Sequence, residues 1–384
     1  METSLKKVKI LDMALIANDV PYEFVGKRRY LATGHLEGDK IIGWEDVTYL
    51  DKPSRANLDV KVGDVIVARM KDTRKVLIID KTHSDLIVST GFVVLRPKEN
   101  LDSRYLAYYL SSNSFQDEKD KLCTGATQKA INNANFEKLW IPLPPLSEQK
   151  EIVKELDRVN LLIQKRKESI NLLDEYLKNV FLDMFGDPVN NEKGWKIKKG
   201  REYCEDFSVG VVVKPASYYV DKGVVALRSL NIKKNEISLD NVVYFSEEDN
   251  NKLSKSKLKS GDVLVVRTGI TGTAAVVPEE LDGVNCIDLI IVRLDKKLVN
   301  PHYLATILNS KRGKDLINSV QVGGIQKHFN IGAIRELKIP IPPIRIQNDF
   351  EDILNKVNLI KKRMLSELEL IKSYQGGLVQ ELLK

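Results

Sequence analysis

Leu139-Trp-Ile-Pro-Leu-Pro-Pro145 returns 198 residues later as Leu337-Lys-Ile-Pro-Ile-Pro-Pro343, and each copy opens a long run of heptad-spaced apolar residues. The same offset relates Gly125-Ala-Thr-Gln-Lys-Ala-Ile-Asn132 to Gly323-Gly-Ile-Gln-Lys-His-Phe-Asn330. Upstream it relates Gly63-Asp-Val-Ile-Val-Ala-Arg69 to Gly261-Asp-Val-Leu-Val-Val-Arg267, and Arg104-Tyr-Leu106 to His302-Tyr-Leu304. Solenoid units repeat every 20–50 residues or so, far short of this spacing. The chain therefore holds two copies of a whole domain, each followed by the same connector.

The connectors read as helices. From Ser147 to Phe185 there is no Gly or Pro, and apolar residues fall at Ile152, Leu156, Val159, Ile163, Ile170, Leu173, Leu177, Val180 and Met184. Alternating steps of four and three make one seam that must bury against another helix. The second run carries Phe350, Leu354, Val357, Met364, Leu368, Ile371, Leu378 and Leu382, interrupted by Lys361 and Gln375. At 1.5 Å per residue each helix would be about 60 Å long. Neither hides its stripe alone, so the two are expected to pair. Antiparallel pairing suits the connectivity, since the first helix must deliver the chain to the second domain through the turn-rich Gly186-Asp-Pro188 and Asn190 to Gly194. It would set the domains at opposite ends, related by a pseudo-twofold axis. The Pro-Pro pairs stiffen each junction or simply stop the helix N-terminus.

The domains read as β-rich with a few helices. Candidate strands are Ile41 to Leu50, Asp64 to Met70, Val76 to Ile79 and Gly91 to Leu95, then Val224 to Leu230, Val242 to Phe245, Asp262 to Thr268 and Ile287 to Leu294. A helix at about Ser103 to Lys119, matched by Pro301 to Ser319, follows the last strand of each set. The expected class is α+β: two β-rich domains in tandem repeat (1–145 and 189–343), separated and joined by two long antiparallel coiled-coil helices (146–188 and 344–384). The halves agree from Gly63 onward, whereas 11–62 and 198–260 share little sequence. A kept scaffold with one varied region suits two domains that read different ligands.

Composition leaves few function classes standing. The 384 residues carry 60 Lys+Arg against 53 Asp+Glu, a net charge of +7. That leans modestly toward a polyanionic partner. Cys123, Cys204 and Cys286 lie far apart without metal or disulfide spacing, and suit a reducing cytoplasm. No signal-peptide core or membrane-length apolar run occurs, so the expected setting is cytoplasmic with no membrane. Nucleotide-binding glycine loops, metalloprotease HExxH and the GxSxG elbow are absent. Leu143 precedes Pro144-Pro145, so this is not the Asn/Asp-Pro-Pro-aromatic motif of amino-methyltransferases. His35, His83, His302 and His328 have no metal spacing, and Glu279-Glu280 belongs to no nuclease constellation.

Taken together, the doubled set resembles the specificity subunit of type I restriction-modification systems. The junction pattern with Gln a few residues past Pro-Pro stands as Pro144-Pro-Leu-Ser-Glu-Gln149 and Pro342-Pro-Ile-Arg-Ile-Gln347. The G-x-x-Q-K element stands at Gly125 to Lys129 and Gly323 to Lys327, and the arm endings at Leu177 to Leu182 and Gly377 to Leu383. Ile346 replaces the Glu148 of the first copy, and Gly376-Gly377 loosens the second arm. The resemblance implies a non-catalytic subunit, with no catalytic or metal residue, whose two domains each read half of a split, asymmetric duplex-DNA target. Its arms would set the unread spacer and bind two methyltransferase subunits, through Ile152, Leu156, Val159, Ile163, Leu173, Phe350, Leu354, Val357, Leu368 and Ile371. It implies no cofactor on this chain; S-adenosylmethionine, ATP and magnesium belong to partner subunits, with restriction subunits added in the full complex.

Basic and amide side chains are the expected tools for DNA. Gln128, Lys129, Gln326 and Lys327 sit on a glycine-opened loop in both copies, where a mere brace for the junction is an equal alternative. Arg69 and Arg267 close equivalent strands, for DNA or for an internal ion pair. Arg28, Arg29, Lys71 and Arg74 complete the candidates of the first domain, and Lys214, Arg228, Thr268 and Thr271 those of the second. Half-site centres would lie roughly 10 bp apart. Two other classes stay open: a targeting half with its own nuclease or methyltransferase activity, which turnover by the pure chain would reveal, and a protein-binding scaffold, which salt-sensitive competition by plasmid DNA would exclude.

Overall fold

A computed structural model describes residues 6–320 and 329–383; Gln326 and Lys327 lie outside them. The chain divides into two compact units, residues 1–168 with 365–384 and residues 169–364.

In the first unit one four-stranded antiparallel sheet runs Ala14–Ile16, Phe92–Pro97, Val65–Ala68, Val76–Ile78. Val65-Ile-Val-Ala68 is buried at every position, because both faces of this sheet are covered. Val65, Val67, Val93 and Leu95 face the helical side with Tyr105, Leu106, Phe115 and Phe136. Their neighbours Ile66, Ala68, Phe92 and Val94 face Leu31, Leu58 and Val88. Successive residues point to opposite layers, as a strand requires. A second sheet orders Glu45–Val47, Arg28–Leu31, Ile87–Ser89, Ala56–Asp59, with Arg28–Leu31 parallel to Ile87–Ser89.

The second unit repeats this plan. Cys204–Val209, Leu289–Leu294, Val263–Val266 and Ala274–Val276 form its antiparallel sheet, and Tyr219–Val220, Val243–Phe245, Val224–Leu227 and Asn285–Cys286 the other. The two units share three strands of this second sheet, Glu45–Val47, Arg28–Leu31 and Ile87–Ser89 matching Val243–Phe245, Val224–Leu227 and Asn285–Cys286. The fourth lies on opposite edges, Ala56–Asp59 beside Ile87–Ser89 and Tyr219–Val220 beside Val243–Phe245. In both units a two-stranded ribbon ties the start of the domain to its junction: Lys7–Lys9 with Trp140–Pro142, and Lys196–Lys199 with Lys338–Ile341.

Two expectations change in detail. The strand expected over Ile41 to Leu50 is two short ones, Lys40–Ile41 and Glu45–Val47, broken at Ile42-Gly43. The helix expected over Ser103 to Lys119 is two, Ser103–Ser111 and Asn113–Lys121. Ser112 stands between them in extended backbone (φ −70°, ψ 152°), and its Oγ accepts from Phe115 N–H at 3.3 Å. A serine that can cap a new helix competes with continuing the old one. Ser310 does the same between Pro301–Asn309 and Lys311–Val320, where Gly313 N–H reaches Ser310 Oγ. A Cβ on Gly313 would lie 1.8 Å from the Ile307 carbonyl oxygen, so the second break needs glycine.

The long helices are Leu146–Phe185 and Ile344–Leu382. Gln149 and Gln347, the glutamines after Pro-Pro, are fully buried. Gln149 Nε2 donates to the carbonyls of Asn100 (3.0 Å) and Pro144 (2.9 Å) while its Oε1 accepts from Asp102 N–H. Gln347 makes the same three bonds to Leu298, Pro342 and Asn300. Each glutamine bolts the first turn of an arm to its own domain. Within the first unit the helix segments pack antiparallel, Asn160 meeting Gln375 and Arg166 meeting Glu367. Within the second unit they are also antiparallel, with Asp174 on Lys361 at one level and Phe185 on Phe350 at another. The two interruptions of the second stripe, Lys361 and Gln375, are thus polar contacts across a helix pair. No helix of the described residues is long and apolar enough to cross a membrane.

Candidate nucleic-acid interface

In each unit a hairpin tip joins an inner strand to the edge strand beside it, Val65–Ala68 to Val76–Ile78 and Val263–Val266 to Ala274–Val276, and the residues of the two tips are unlike. In the first unit the tip spans 69–75 and turns at Asp72 (φ 56°). Lys119, wholly buried, holds it by donating from Nζ to the carbonyls of Met70 (2.9 Å) and Thr73 (3.2 Å). The loop 124–130 closes on the same tip. Thr124 bridges Ala130, Ala130 bridges Met70, and Lys71 N–H donates to the Lys129 carbonyl at 2.9 Å. Gly125 has φ 129°, and a Cβ there would lie 2.6 Å from the Gln128 carbonyl oxygen, so only glycine closes this loop.

Gln128 and Lys129 are exposed on that loop, beside Lys71. Neither Gln128 nor Lys129 has a side-chain partner among the described residues. Arg69 is at the base of the tip with its guanidinium turned inward, Nε on the Phe92 carbonyl (3.0 Å) and Nη1 on the Ile131 carbonyl (3.2 Å). Burial lowers its pKa, and a guanidinium still keeps its charge. Arg69 makes no ion pair among the described residues; it ties the strand end to the loop.

The other basic candidates of this unit are spread apart. Arg74 sits at the rim with Asn113 and Asp117. Arg28 and Arg29 lie in the second sheet. Arg28 bonds Asp59 at 2.6 Å and the carbonyls of Asp85 and Leu86, and its guanidinium covers the Phe24 ring. Arg29 bonds Asp85, its Nε to Oδ2 at 2.7 Å, and stacks over Trp44. The bond to Asp85 raises the Arg29 pKa. Both fasten the 82–86 turn to the sheet. The charges that sequence alone makes attractive for DNA are here paired within the domain.

In the second unit Arg267 at the base of the tip does form an ion pair, Nη1 to Asp288 Oδ1 at 2.8 Å, and Thr268 Oγ1 lies 3.4 Å from Asp288 Oδ2. Asp288 holds a left-handed backbone (φ 49°), and Gly91 takes its place opposite the matching strand of the first unit. Thr271, half-buried, offers its carbonyl to Lys314 Nζ at 2.8 Å. Lys214 is exposed with φ 44°, just beyond the Val211–Ile287 bridge that leads to Asp288. Arg228 donates to the Asn241 carbonyl next to the buried Asn231, and so closes a loop. Thr268, Thr271 and Arg267 therefore come together; Arg228 does not join them.

Of the arm residues, Ile152, Leu156, Val159, Phe350, Leu354, Val357 and Leu368 are buried, and Ile163, Leu173 and Ile371 are half-buried. Phe181, Phe185, Tyr303 and Phe350 form one aromatic cluster, with centroids 4.7–5.7 Å apart. The heptad stripe holds helices together, and most of it is buried. The exposed apolar residues are others: Leu161, Leu162, Leu365, Leu370 and Tyr374 in the first unit, and Leu172, Tyr176, Leu182, Leu359 and Ile360 in the second. Their signal in the sequence was an apolar residue off the heptad, as in the Leu161-Leu162 and Leu359-Ile360 doublets. No group of three or more His, Cys, Asp or Glu among the described residues could hold a metal ion.

Residues 6–172 and 221–370 match the family model described as the type I restriction modification DNA specificity domain. The chain is 24% identical over 361 residues to the type I restriction enzyme EcoKI specificity subunit of Escherichia coli K12, covering 83% of this chain and 75% of that one. It is 26% identical to the MjaVIII specificity subunit of Methanocaldococcus jannaschii, covering 74% and 71%. Among solved structures, it superposes on a chain from work on assembly and conformational transition of the type I R-M system, with a TM-score of 0.63 and 18% identity over 100% of this chain and 98% of that chain. The type I system S subunit from M. genitalium gives 0.58 and 14%, with the same coverage. These two likenesses concern the fold. A doubled domain with its two junctions and arms, matched over most of its length, places the chain in the family of type I restriction-modification DNA specificity subunits.

Proposed function

We propose that this chain carries no catalysis of its own and reads a split, asymmetric duplex-DNA target, one half with residues 1–145 and the other with residues 189–343. The helical arms, 146–188 and 344–384, set the unread spacer and dock two methyltransferase subunits through the apolar side chains exposed off the heptad. S-adenosylmethionine, ATP and magnesium would be bound by partner subunits, and restriction subunits would add cleavage. The observation that carries the reading is one frame built twice with unlike tips. A rigid sheet that presents Lys71, Gln128 and Lys129 on one copy, and Thr268 and Ile270 on the other, can read two different sequences by the same approach.

The experiment is methylation sequencing of DNA from cells that carry this chain with its methyltransferase subunit. A bipartite motif with two unlike halves around a fixed gap is expected. A continuous or palindromic motif, or none, would refute the reading.

A further inference from the structure

The tip of the second unit adjoins a feature absent from the first. Gly269 (φ +86°) and Gly272 (φ +73°) let the chain turn so tightly that Ile270 stands 77% exposed between them. A Cβ on Gly272 would lie 2.4 Å from Ile317 Cδ1, so the tip is seated closely on the helix beneath it. Beside it opens a cleft of about 370 Å³ lined by Leu230, Lys233, Lys234, Thr268 and Ile270 among others. No carboxylate lines it among the described residues. Lys233 and Lys234 are exposed and have no ion-pair or hydrogen-bond partner for their ammonium groups among those residues. Lys314 adds a third cation against the tip, on the Thr271 carbonyl. Its pKa is lowered by burial and then by the charge of Lys234.

Three like charges around an exposed aliphatic side chain oppose one another unless an anion lies among them. In the first unit the equivalent short hairpin, Leu36–Glu37 with Lys40–Ile41, has Glu37 and Gly38 where the second has Lys233 and Lys234. Gln116 stands where Lys314 does. The cluster thus belongs to one domain and is not part of the shared scaffold.

Resting on the function proposed above, we infer that this cleft is a groove contact of the second domain, with Lys233 and Lys234 on backbone phosphates and Ile270 against a base edge. An aliphatic side chain offers no hydrogen bond, and the base-edge group it can select is the thymine methyl. Ile270 therefore specifies an A·T pair at one position of the second half-site. The lysines add affinity without sequence preference.

The test uses the complex of this chain with its methyltransferase subunit, by methylation sequencing and by DNA binding against salt. Ile270→Ala should relax one A·T position of the second half by about 4-fold, the scale of one lost methyl contact, and leave the first half unchanged. Lys233→Gln with Lys234→Gln should keep the motif and lower the salt slope by about 1.8. A wild-type bipartite motif that Ile270→Asp leaves intact at full efficiency overturns this inference alone. Ile270→Asp that impairs assembly with the methyltransferase in the absence of DNA also overturns it, assigning the tip to protein contact. A wild-type complex without any bipartite motif instead defeats the underlying functional reading.

Discussion

Gln149 Oε1 accepts the backbone N–H of Asp102 at 2.9 Å, and Asp102 in turn caps the helix Ser103–Ser111 through its own carboxylate. The first turn of the arm is thus tied to the first turn of a domain helix by a side chain with no contact with water. Gln149→Leu keeps much of the volume and strands one N–H and two carbonyls. Each buried unmet group costs about 1–3 kcal/mol, so a total loss of roughly 3 kcal/mol is expected in urea unfolding. Gln347→Leu should cost as much, and an effect within 0.5 kcal/mol for either would contradict the bolt.

Lys119→Met tests what holds the first tip. With its ammonium gone, the carbonyls of Met70 and Thr73 lose their donor. Amide exchange over 70–74 should quicken at least 10-fold, the effect of about 1.4 kcal/mol of lost local stability. Exchange in the matching tip, 268–273, serves as the internal reference and should not move.

Gln128→Ala is expected to cost about 1–3 kcal/mol of discrimination in the first half-site if its amide reads a base. Lys129→Ala should weaken all sequences alike and reduce the salt slope by about 0.9. Gln326→Ala should touch only the second half. Equal damage to both halves in methylation sequencing would return these glutamines to a bracing role.

Deleting one heptad of the first arm, Ile163 to Ser169, should change the gap between half-sites or abolish binding. The bases read within each half should stay as they were. An altered base preference inside a half-site, found by the same sequencing, would mean that the arms take part in readout.

His302 gives a pH signature. Burial lowers its pKa below the ordinary value, although Glu351, 3.4 Å away, acts to raise it. The unfolded chain takes up this proton near pH 6.5, and the folded chain does so only at lower pH. The stability contribution is therefore whole above about 6.5 and is lost as pH falls through the folded value. His302→Gln should flatten that part of the stability curve in chemical denaturation from pH 7.5 to 5. A wild-type curve already flat over that range would show that Glu351 offsets the burial.

Much of the architecture followed from the sequence by itself, because it rests on local and periodic signals. The repeat located two domains, the heptads located two helices, and runs such as Val65 to Ala68 located the covered strands. The glutamines after Pro-Pro were visible as a pattern, but not as buried bolts. What tertiary structure alone decided is pairing at a distance. Lys7–Lys9 and Arg28–Leu31 carry no strand signal of their own, and they become strands because Trp140–Pro142 and Ile87–Ser89 supply their partners. The same holds for charge. Arg28, Arg29, Arg69 and Arg267 look alike in sequence, yet Asp59, Asp85, two carbonyls and Asp288 fix them in different roles. A guanidinium is committed or free according to which acceptor the fold brings within 3 Å or so, and acceptors 21 to 62 residues away in sequence leave no local mark.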